Sequence, residues 1–188
     1  MNLPGIEPRR EIGDELDRCY TPDRLADAVV QALRFPGGEL IIEPSAGGGA
    51  FVRALRRRWL HAVLVGVDLD PAAPGRVGCN DWIEGSWPEV ARSIDWQPNL
   101  IVGNPPFGDA LEHVTAALSF GCNVAFILPL AYLGVQAWGP LLDTRPPAVV
   151  RPIRGRPWSD KVRETAVFEW WADHRETTSL VPLVGWPR

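Results

Sequence analysis

A short run in the middle of the chain combines residue types that can do chemistry together. The run consists of Asn104, Pro105, Pro106 and Phe107, directly after the apolar segment LIVG. That segment predicts a buried strand. The prolines end the strand rigidly, because proline cannot donate a hydrogen bond to a sheet and keeps the residue before it extended. The same residues are also typical of a stiff strand-to-helix turn, so the neighbouring motifs have to decide between a turn and a site.

A glycine-rich stretch stands between another predicted strand and a predicted helix, where residues 43–49 read EPSAGGG. A glycine loop that opens a helix lets the backbone come close to a ligand and exposes amide donors. The spacing does not fit a dinucleotide fingerprint, because Val52 stands where the last glycine should be, and no Lys-Ser/Thr pair follows as in a phosphate loop. A tight turn is the alternative. The candidate binding residues here are Glu43, Pro44, Ser45, Gly47 and Gly49.

Acidic residues follow the next two strands. Asp68 and Asp70, with Leu69 between them, come about twenty residues after the glycine loop, where a carboxylate accepts hydrogen bonds from ribose hydroxyls. Asp81 and Trp82 are predicted to follow the third strand. There the carboxylate would contact the exocyclic amine of an adenine ring, and the indole would pack on the ring. Solvated turn acids are the alternative, but together the three strand ends predict a nucleoside-shaped pocket.

Strands alternate with helices along the chain, which predicts an α/β fold with a mostly parallel sheet covered on both faces. The first helix is predicted to begin with Thr21 as its N-cap, because Pro22 and Asp23 suit a first turn. The segments AVVRPI and TAVFEWW, with no helical pattern between them, predict a C-terminal antiparallel hairpin. In such a sheet, ligands bind beyond the carboxyl ends of the strands, so the motifs above are expected to meet at one edge.

Composition narrows the class of protein. The 188 residues, 46% of them hydrophobic, fit one domain over residues 1–188. A net charge of −4 argues against a protein that holds nucleic acid by bulk electrostatics. No run approaches the roughly 20 apolar residues of a membrane span, and the charged start is unlike a signal peptide, which predicts a cytoplasmic protein. The three cysteines and three histidines have no ligand spacing, so no metal is expected.

One segment is basic in this acidic chain. From Arg145 to Arg163 it holds six basic residues and one acidic residue, Asp160. We predict that it contacts nucleic-acid phosphates, with a solvated basic loop as the alternative. Trp158, within this segment, would stack on a base or cover the hairpin. The candidate nucleic-acid-binding residues are Arg151, Arg154, Arg156, Trp158, Lys161 and Arg163.

Five motifs, in order, resemble those of the S-adenosylmethionine-dependent amino methyltransferases, especially the N6-adenine DNA methyltransferases with an NPPF motif. They are YTPDRLADAVV, EPSAGGGAF, VDLDP, NDWIEG and NPPF, between residue 20 and about residue 130. The resemblance implies a single Rossmann-like methyltransferase domain with S-adenosylmethionine as its cofactor. The methionine end of the cofactor would lie near Tyr20, Thr21 and the glycine loop. The remaining cofactor contacts implied are Asp68, Leu69, Asp81, Trp82 and Asn104.

The resemblance also implies roles for the NPPF motif. The Asn104 side-chain oxygen and the Pro105 carbonyl would accept the two hydrogens of the adenine amine, so that the nitrogen lone pair faces the methyl sulfonium. The prolines, Pro106 included, would fix that carbonyl in place. Phe107 would stack on a base flipped out of the DNA helix. No general base is needed for such a transfer, which rests mainly on positioning.

The sequence departs from the family pattern in two ways. The glycine loop carries more glycine than the commoner form, which is a minor difference. No target recognition domain follows, so recognition of a short DNA sequence is expected. The compact size resembles that of phage-encoded enzymes, which act in a bacterial or phage-infected cytoplasm. The sequence is compatible with a homodimer. The alternative acceptors are guanine N2 in RNA, cytosine N4 and a protein glutamine amide. A non-catalytic nucleic-acid-binding protein with a relic pocket is the other alternative, and the intact NPPF motif argues against it.

Overall fold

A computed structural model describes residues 20–35, 39–155, 158, 164–174, 177–183 and 185. Within these residues lies one mixed sheet, and its strand order is β3-β2-β1-β4-β5-β7-β6-β8. The eight strands are β1 (Leu40–Glu43), β2 (Val63–Asp68), β3 (Asp81–Glu84), β4 (Leu100–Gly103), β5 (Asn123–Pro129), β6 (Val149–Pro152), β7 (Thr165–Trp170) and β8 (Ser179–Leu180).

Strands β1 to β5 are all parallel to one another. The chain passes from β1 outward to β2 and β3, then returns to β4 on the other side of β1 and continues to β5. Strand order therefore reverses between β1 and β4, and the carboxyl ends of these two strands border a crevice of the kind that binds ligands in open α/β sheets. The prediction of a mostly parallel α/β sheet is confirmed.

Five helices accompany the sheet in the described part of the chain: α1 (Asp23–Ala32), α2 (Ala50–Arg58), α3 (Trp87–Ser93), α4 (Ala110–Leu118) and α5 (Gly139–Thr144). The N-cap of α1 is Pro22, whose carbonyl accepts the first N–H groups of the helix. The prediction of Thr21 as N-cap is therefore wrong by one residue. Helix α3 was not predicted, because seven residues are too few to show helical periodicity.

Two hydrophobic clusters lie on opposite faces of the sheet, because successive residues of a strand point to opposite faces. Ile41 packs in the cluster under α1 and α2, whereas the next residue, Ile42, packs in the cluster under α3 and α4. Both isoleucines are fully buried. The sheet is therefore covered on both faces, which explains why its central strands read as continuous apolar runs.

The C-terminal strands form the predicted antiparallel hairpin, since β6 pairs with β7 in antiparallel register. The inner strand of the hairpin, β7, also pairs antiparallel with β5 and so lies between β5 and β6. The two-residue strand β8 then adds to β6 in parallel. No helix among the described residues combines the length and apolar character that crossing a membrane requires.

Candidate active site

The glycine loop, residues 43–49, is held against the end of β2. The Ala46 N–H donates to the Val67 carbonyl at 3.0 Å, and the Gly47 N–H donates to Asp68 Oδ2 at 2.8 Å. Gly47 has φ of 40° and Gly49 has φ of 77°, a left-handed conformation that favours glycine. Gly49 is then the N-cap of α2. The loop therefore turns sharply from β1 into α2, with its backbone close to Asp68.

Asp68, the last residue of β2, is a half-buried carboxylate with two backbone partners. Its Oδ2 accepts from Gly47, and its Oδ1 accepts the Asp70 N–H at 2.9 Å. A carboxylate has about four acceptor positions, so Asp68 keeps capacity for further donors. Leu69, which follows it, exposes 52% of its surface beside this edge. The structure thus brings Asp68 and Leu69 next to the glycine loop, as the sequence predicted.

Glu43, the last residue of β1, is buried, and its Oε1 accepts the Ser45 N–H at 3.2 Å. Burial raises the pKa of Glu43 to about 8; the Ser45 hydrogen bond lowers it, and the charge of Asp68 adds a further increase. The carboxyl lies against the backbone of Gly103, where any Cβ would overlap with Oε1. The buried acid therefore lies between the glycine loop and the end of β4.

The NPPF loop, residues 104–107, begins directly after Gly103, the last residue of β4. Pro105 is buried, whereas Asn104 and Phe107 are half-buried. The hydroxyl of Tyr132 donates to the Phe107 carbonyl at 2.6 Å. Sequence analysis missed Tyr132, although its place just after β5, the neighbour of β4, was a usable signal. The NPPF loop and the glycine loop thus follow adjacent strands at the same edge of the sheet.

Tyr20 joins the start of the described chain to the glycine loop. A Cβ at Gly47 would stand 3.0 Å from Tyr20 Cε1, and a Cβ at Gly48 would stand 3.3 Å from Cδ1, so the tyrosine ring lies against both glycines. The indole N–H of Trp158 donates to the Tyr20 carbonyl at 3.0 Å. The half-buried Thr21 follows. These contacts bring the predicted methionine-side residues and Trp158 to one place.

The predicted position of Asp81 and Trp82 is wrong. Asp81 begins β3 and pairs with Val65, whereas the residue opposite Asp68 at the carboxyl end is Glu84. At about 3.3 Å per residue, Asp81 stands roughly 10 Å back from that edge. The two residues line a surface hollow of about 220 Å³ with Arg76, Cys79 and Asn80. Glu84, which sequence analysis missed, is exposed at the carboxyl edge itself.

Arg151 cannot contact DNA phosphates as predicted, because it is buried in the sheet. Its Nε donates to Glu169 Oε1 at 2.5 Å across the β6–β7 hairpin, and the two side chains are 5% and 0% exposed. Arg154, further along, is exposed. Three other candidates, Arg156, Lys161 and Arg163, lie outside the described residues. Of the described candidates, Arg154 is exposed, whereas Trp158 is half-buried and packs against the core.

Comparison with known proteins finds sequence relatives that are methyltransferases. No family model matches the chain. Over 115 residues it is 35% identical to the Type II methyltransferase M.TthHB8I of Thermus thermophilus, covering 57% of this chain and 25% of the relative. Over 149 residues it is 25% identical to the Type II methyltransferase M.CvrRI of Paramecium bursaria Chlorella virus XZ-6E, covering 66% and 39%. The chain thus spans less than half the length of either relative.

Two solved structures that are named as methyltransferases have the same fold. A protein from Listeria monocytogenes assigned to the class I S-adenosylmethionine-dependent methyltransferases aligns with a TM-score of 0.66 at 12% identity, covering 93% of this chain and 69% of its own. The methyltransferase subunit of a type I restriction-modification system from Streptococcus thermophilus aligns with a TM-score of 0.65 at 15% identity, covering 87% and 47%. The fold is that of the Rossmann-like methyltransferases. The sequence relatives, both named as Type II methyltransferases, confirm the resemblance to methyltransferases.

Proposed function

We propose that this chain transfers the methyl group of S-adenosylmethionine to the N6 amine of adenine in DNA. The observation that carries the proposal is the position of the NPPF loop. It follows β4 at the strand-order reversal, beside the glycine loop and Asp68. An acceptor held at residues 104–107 and a nucleoside cofactor held at residues 43–49 would therefore meet in one crevice. The relatives named as Type II methyltransferases support methyl transfer as the reaction.

The residues at the carboxyl edge fit the cofactor. Asp68 retains acceptor positions for ribose hydroxyls, and the exposed Leu69 offers an apolar surface to the adenine ring. The glycine loop lets a ligand approach its backbone closely. Tyr20 and Thr21 border the loop where the methionine end would lie. S-adenosylmethionine, when bound, supplies a methyl group made electrophilic by its sulfonium.

The NPPF loop supplies the chemistry on the acceptor side. The adenine amine is a poor nucleophile because its lone pair is delocalised into the ring. Asn104 and the Pro105 carbonyl accept its two hydrogens, which draws the nitrogen toward a tetrahedral geometry. Transfer of the methyl carbon to this nitrogen would break its bond to the sulfonium sulfur and leave the cofactor as a neutral thioether, and the nitrogen would release one proton to water. Phe107 stacks on the flipped base and offsets part of the few kcal/mol that unstacking costs. Proximity of this kind can contribute about 7–11 kcal/mol.

We propose that this chain recognises only a short DNA sequence. A surface that reads several base edges usually buries about 1,000 Å² or more of protein. Among the described residues, those beyond the sheet and helices α1 to α4 are mainly residues 130–148, which include α5. We therefore expect the target adenine and one to three neighbours to be read, with Arg154 contacting phosphate regardless of sequence. Mapping modified adenines on a treated plasmid tests this, and one strict site of six or more base pairs would contradict it.

The reaction is tested by incorporation of labelled methyl groups. DNA, RNA and protein are each incubated with the chain and S-adenosylmethionine, and the DNA is digested to nucleosides. Label in N6-methyladenine is the expected result. Label in N4-methylcytosine, RNA or protein glutamine would show that the acceptor differs from the one proposed, while the cofactor is the same. No label in any of them, with a folded protein, would contradict the proposed function.

A further inference from the structure

The segment just after β5, residues 130–138, is bonded to the NPPF loop and packed against the core. It consists of two short 3-10 turns, Leu130–Gly134 and Gln136–Trp138. The Tyr132 ring stacks on the Trp138 ring with centroids 4.5 Å apart, and Trp138 is buried. The Tyr132 hydroxyl holds the Phe107 carbonyl. Displacement of this segment would therefore displace the NPPF loop.

The same segment exposes apolar side chains beside the site. Leu133 is 44% exposed and Val135 is 42% exposed, on either side of Gly134. No charged residue occurs between residues 130 and 142. Surface turns are usually polar, because Gly, Asn, Asp and Ser favour their backbone conformations. Leu133 and Val135 thus expose apolar surface in an uncharged segment that is bonded to the NPPF loop through Tyr132.

We propose that Leu133 and Val135 form an apolar wedge that enters the DNA stack where the target adenine leaves it. This inference rests on the proposed function. The segment follows β5 and the NPPF loop follows β4, adjacent parallel strands, so both lie at the edge that flipped adenine must reach. Apolar side chains that enter a base step offset part of the few kcal/mol that unstacking costs. The exposed amide of Gln136 follows directly and is able to hydrogen-bond the base left without a partner.

The Tyr132–Phe107 hydrogen bond explains why a wedge is effective here. The surface that opens the duplex and the aromatic ring that receives the base belong to one connected unit, so entry of one positions the other. Neither Leu133 nor Val135 touches the cofactor in this proposal. Their contribution is confined to opening the duplex.

The test compares two duplexes of identical sequence that contain a mapped target adenine. In one the adenine is paired with thymine, and in the other it stands opposite an abasic site, where leaving the stack costs less. The measured quantity is the ratio of kcat/KM on the paired duplex to kcat/KM on the abasic one. For Leu133→Ala combined with Val135→Ala, this ratio should fall about tenfold relative to wild type. The controls are Leu60→Ala and Leu180→Ala, apolar residues that are 74% and 72% exposed and lie away from this edge.

An unchanged ratio in the double variant overturns the wedge. No transfer by wild type to either duplex contradicts the proposed function instead, so the two failures differ. A second readout uses 2-aminopurine at the target position, whose fluorescence rises when it leaves the stack. Leu133→Ala should reduce that rise, whereas Leu133→Met, which keeps an apolar side chain of similar volume, should restore it. An equal rise in Leu133→Ala and wild type counts against the proposal.

Discussion

Asp68 Oδ2 accepts a hydrogen bond of 2.8 Å from the Gly47 N–H, and this contact joins the end of β2 to the loop that follows β1. One carboxylate thus shapes the glycine loop and still faces the crevice. Removal of the Asp68 side chain should therefore affect both the conformation of the glycine loop and the proposed contact with the cofactor.

Asp68→Ala should weaken S-adenosylmethionine binding by at least about tenfold, because hydrogen bonds to a charged group contribute about 1.5–3 kcal/mol. The variant loses the proposed ribose contact, and it also loses the acceptor for Gly47. Calorimetry measures the dissociation constant. The matched control is Asp70→Ala, since Asp70 is exposed and its side chain accepts only from Ala72. Unchanged binding in Asp68→Ala would remove Asp68 from the cofactor site.

Asn104→Ala should lower kcat by about a hundredfold or more while the cofactor dissociation constant stays within about twofold, because the lost interaction acts on the acceptor amine. Asn99→Ala is the matched control. Asn99 precedes the same strand, β4, at its opposite end, and its Oδ1 accepts the Leu40 N–H. Near-normal turnover in Asn104→Ala would show that the amine is not held by this residue.

Glu43 should make the protein less stable as pH rises. Burial raises the pKa of this carboxyl from 4.5 to about 8. Between these values the folded protein holds a proton that the unfolded chain has released. The free energy of unfolding therefore falls with rising pH over this window, by at most about 1.4 kcal/mol per pH unit.

Glu43→Gln removes this titration and keeps the side-chain shape. Denaturant unfolding from about pH 5 to about pH 8 should show a flatter profile for the variant than for wild type. Parallel profiles would mean that Glu43 ionises inside the fold without cost.

The buried pair Arg151–Glu169 should stabilise the hairpin and take no part in DNA binding. Arg151→Met leaves Glu169 buried without its cation, which typically costs about 3–5 kcal/mol of unfolding free energy. Arg151→Met combined with Glu169→Gln should recover part of that loss. Chemical denaturation of the four proteins of this double-mutant cycle measures the coupling.

The DNA measurement distinguishes the buried Arg151 from the exposed Arg154. The slope of log affinity against log salt should be the same for wild type and folded Arg151→Met. Neutralising Arg154 and Arg156 together should reduce that slope by about two, about equally for unrelated sequences. A reduced slope in Arg151→Met would contradict the purely structural assignment.

Much of the site could be predicted from sequence because it depends on local order. The glycine loop, Asp68 and the NPPF loop each follow a strand directly, and parallel strands bring their carboxyl ends to one edge. The predicted position of Asp81 was wrong because β3 begins at this residue and does not end before it. The connection from β2 contains one 3-10 turn, Pro74–Gly78, and the sequence does not mark where the next strand begins. Strand boundaries of this kind depend on pairing register, which a single sequence does not show.

Two other features depend on contacts between distant residues. Charge counting cannot identify Arg151 as a buried residue, because its burial depends on the pairing with Glu169 on β7. The bond between Tyr132 and Phe107 joins residues 25 positions apart, and only the adjacency of β4 and β5 brings them together. Sequence analysis therefore found the residues that follow each strand and missed those that support them from a neighbouring strand.

The position of β7 between β5 and β6 has a consequence for biosynthesis. β5 pairs with β4 on one side, but its other edge is completed only by β7, which begins at Thr165. A nascent chain that has emerged only as far as α5 therefore presents the apolar strand NVAFILP with an unpaired edge. Unpaired edges of this kind are templates for association with other chains. Ribosome stalling within the β6–β7 connection should thus be more harmful to this protein than stalling within α2, before β5 has been made.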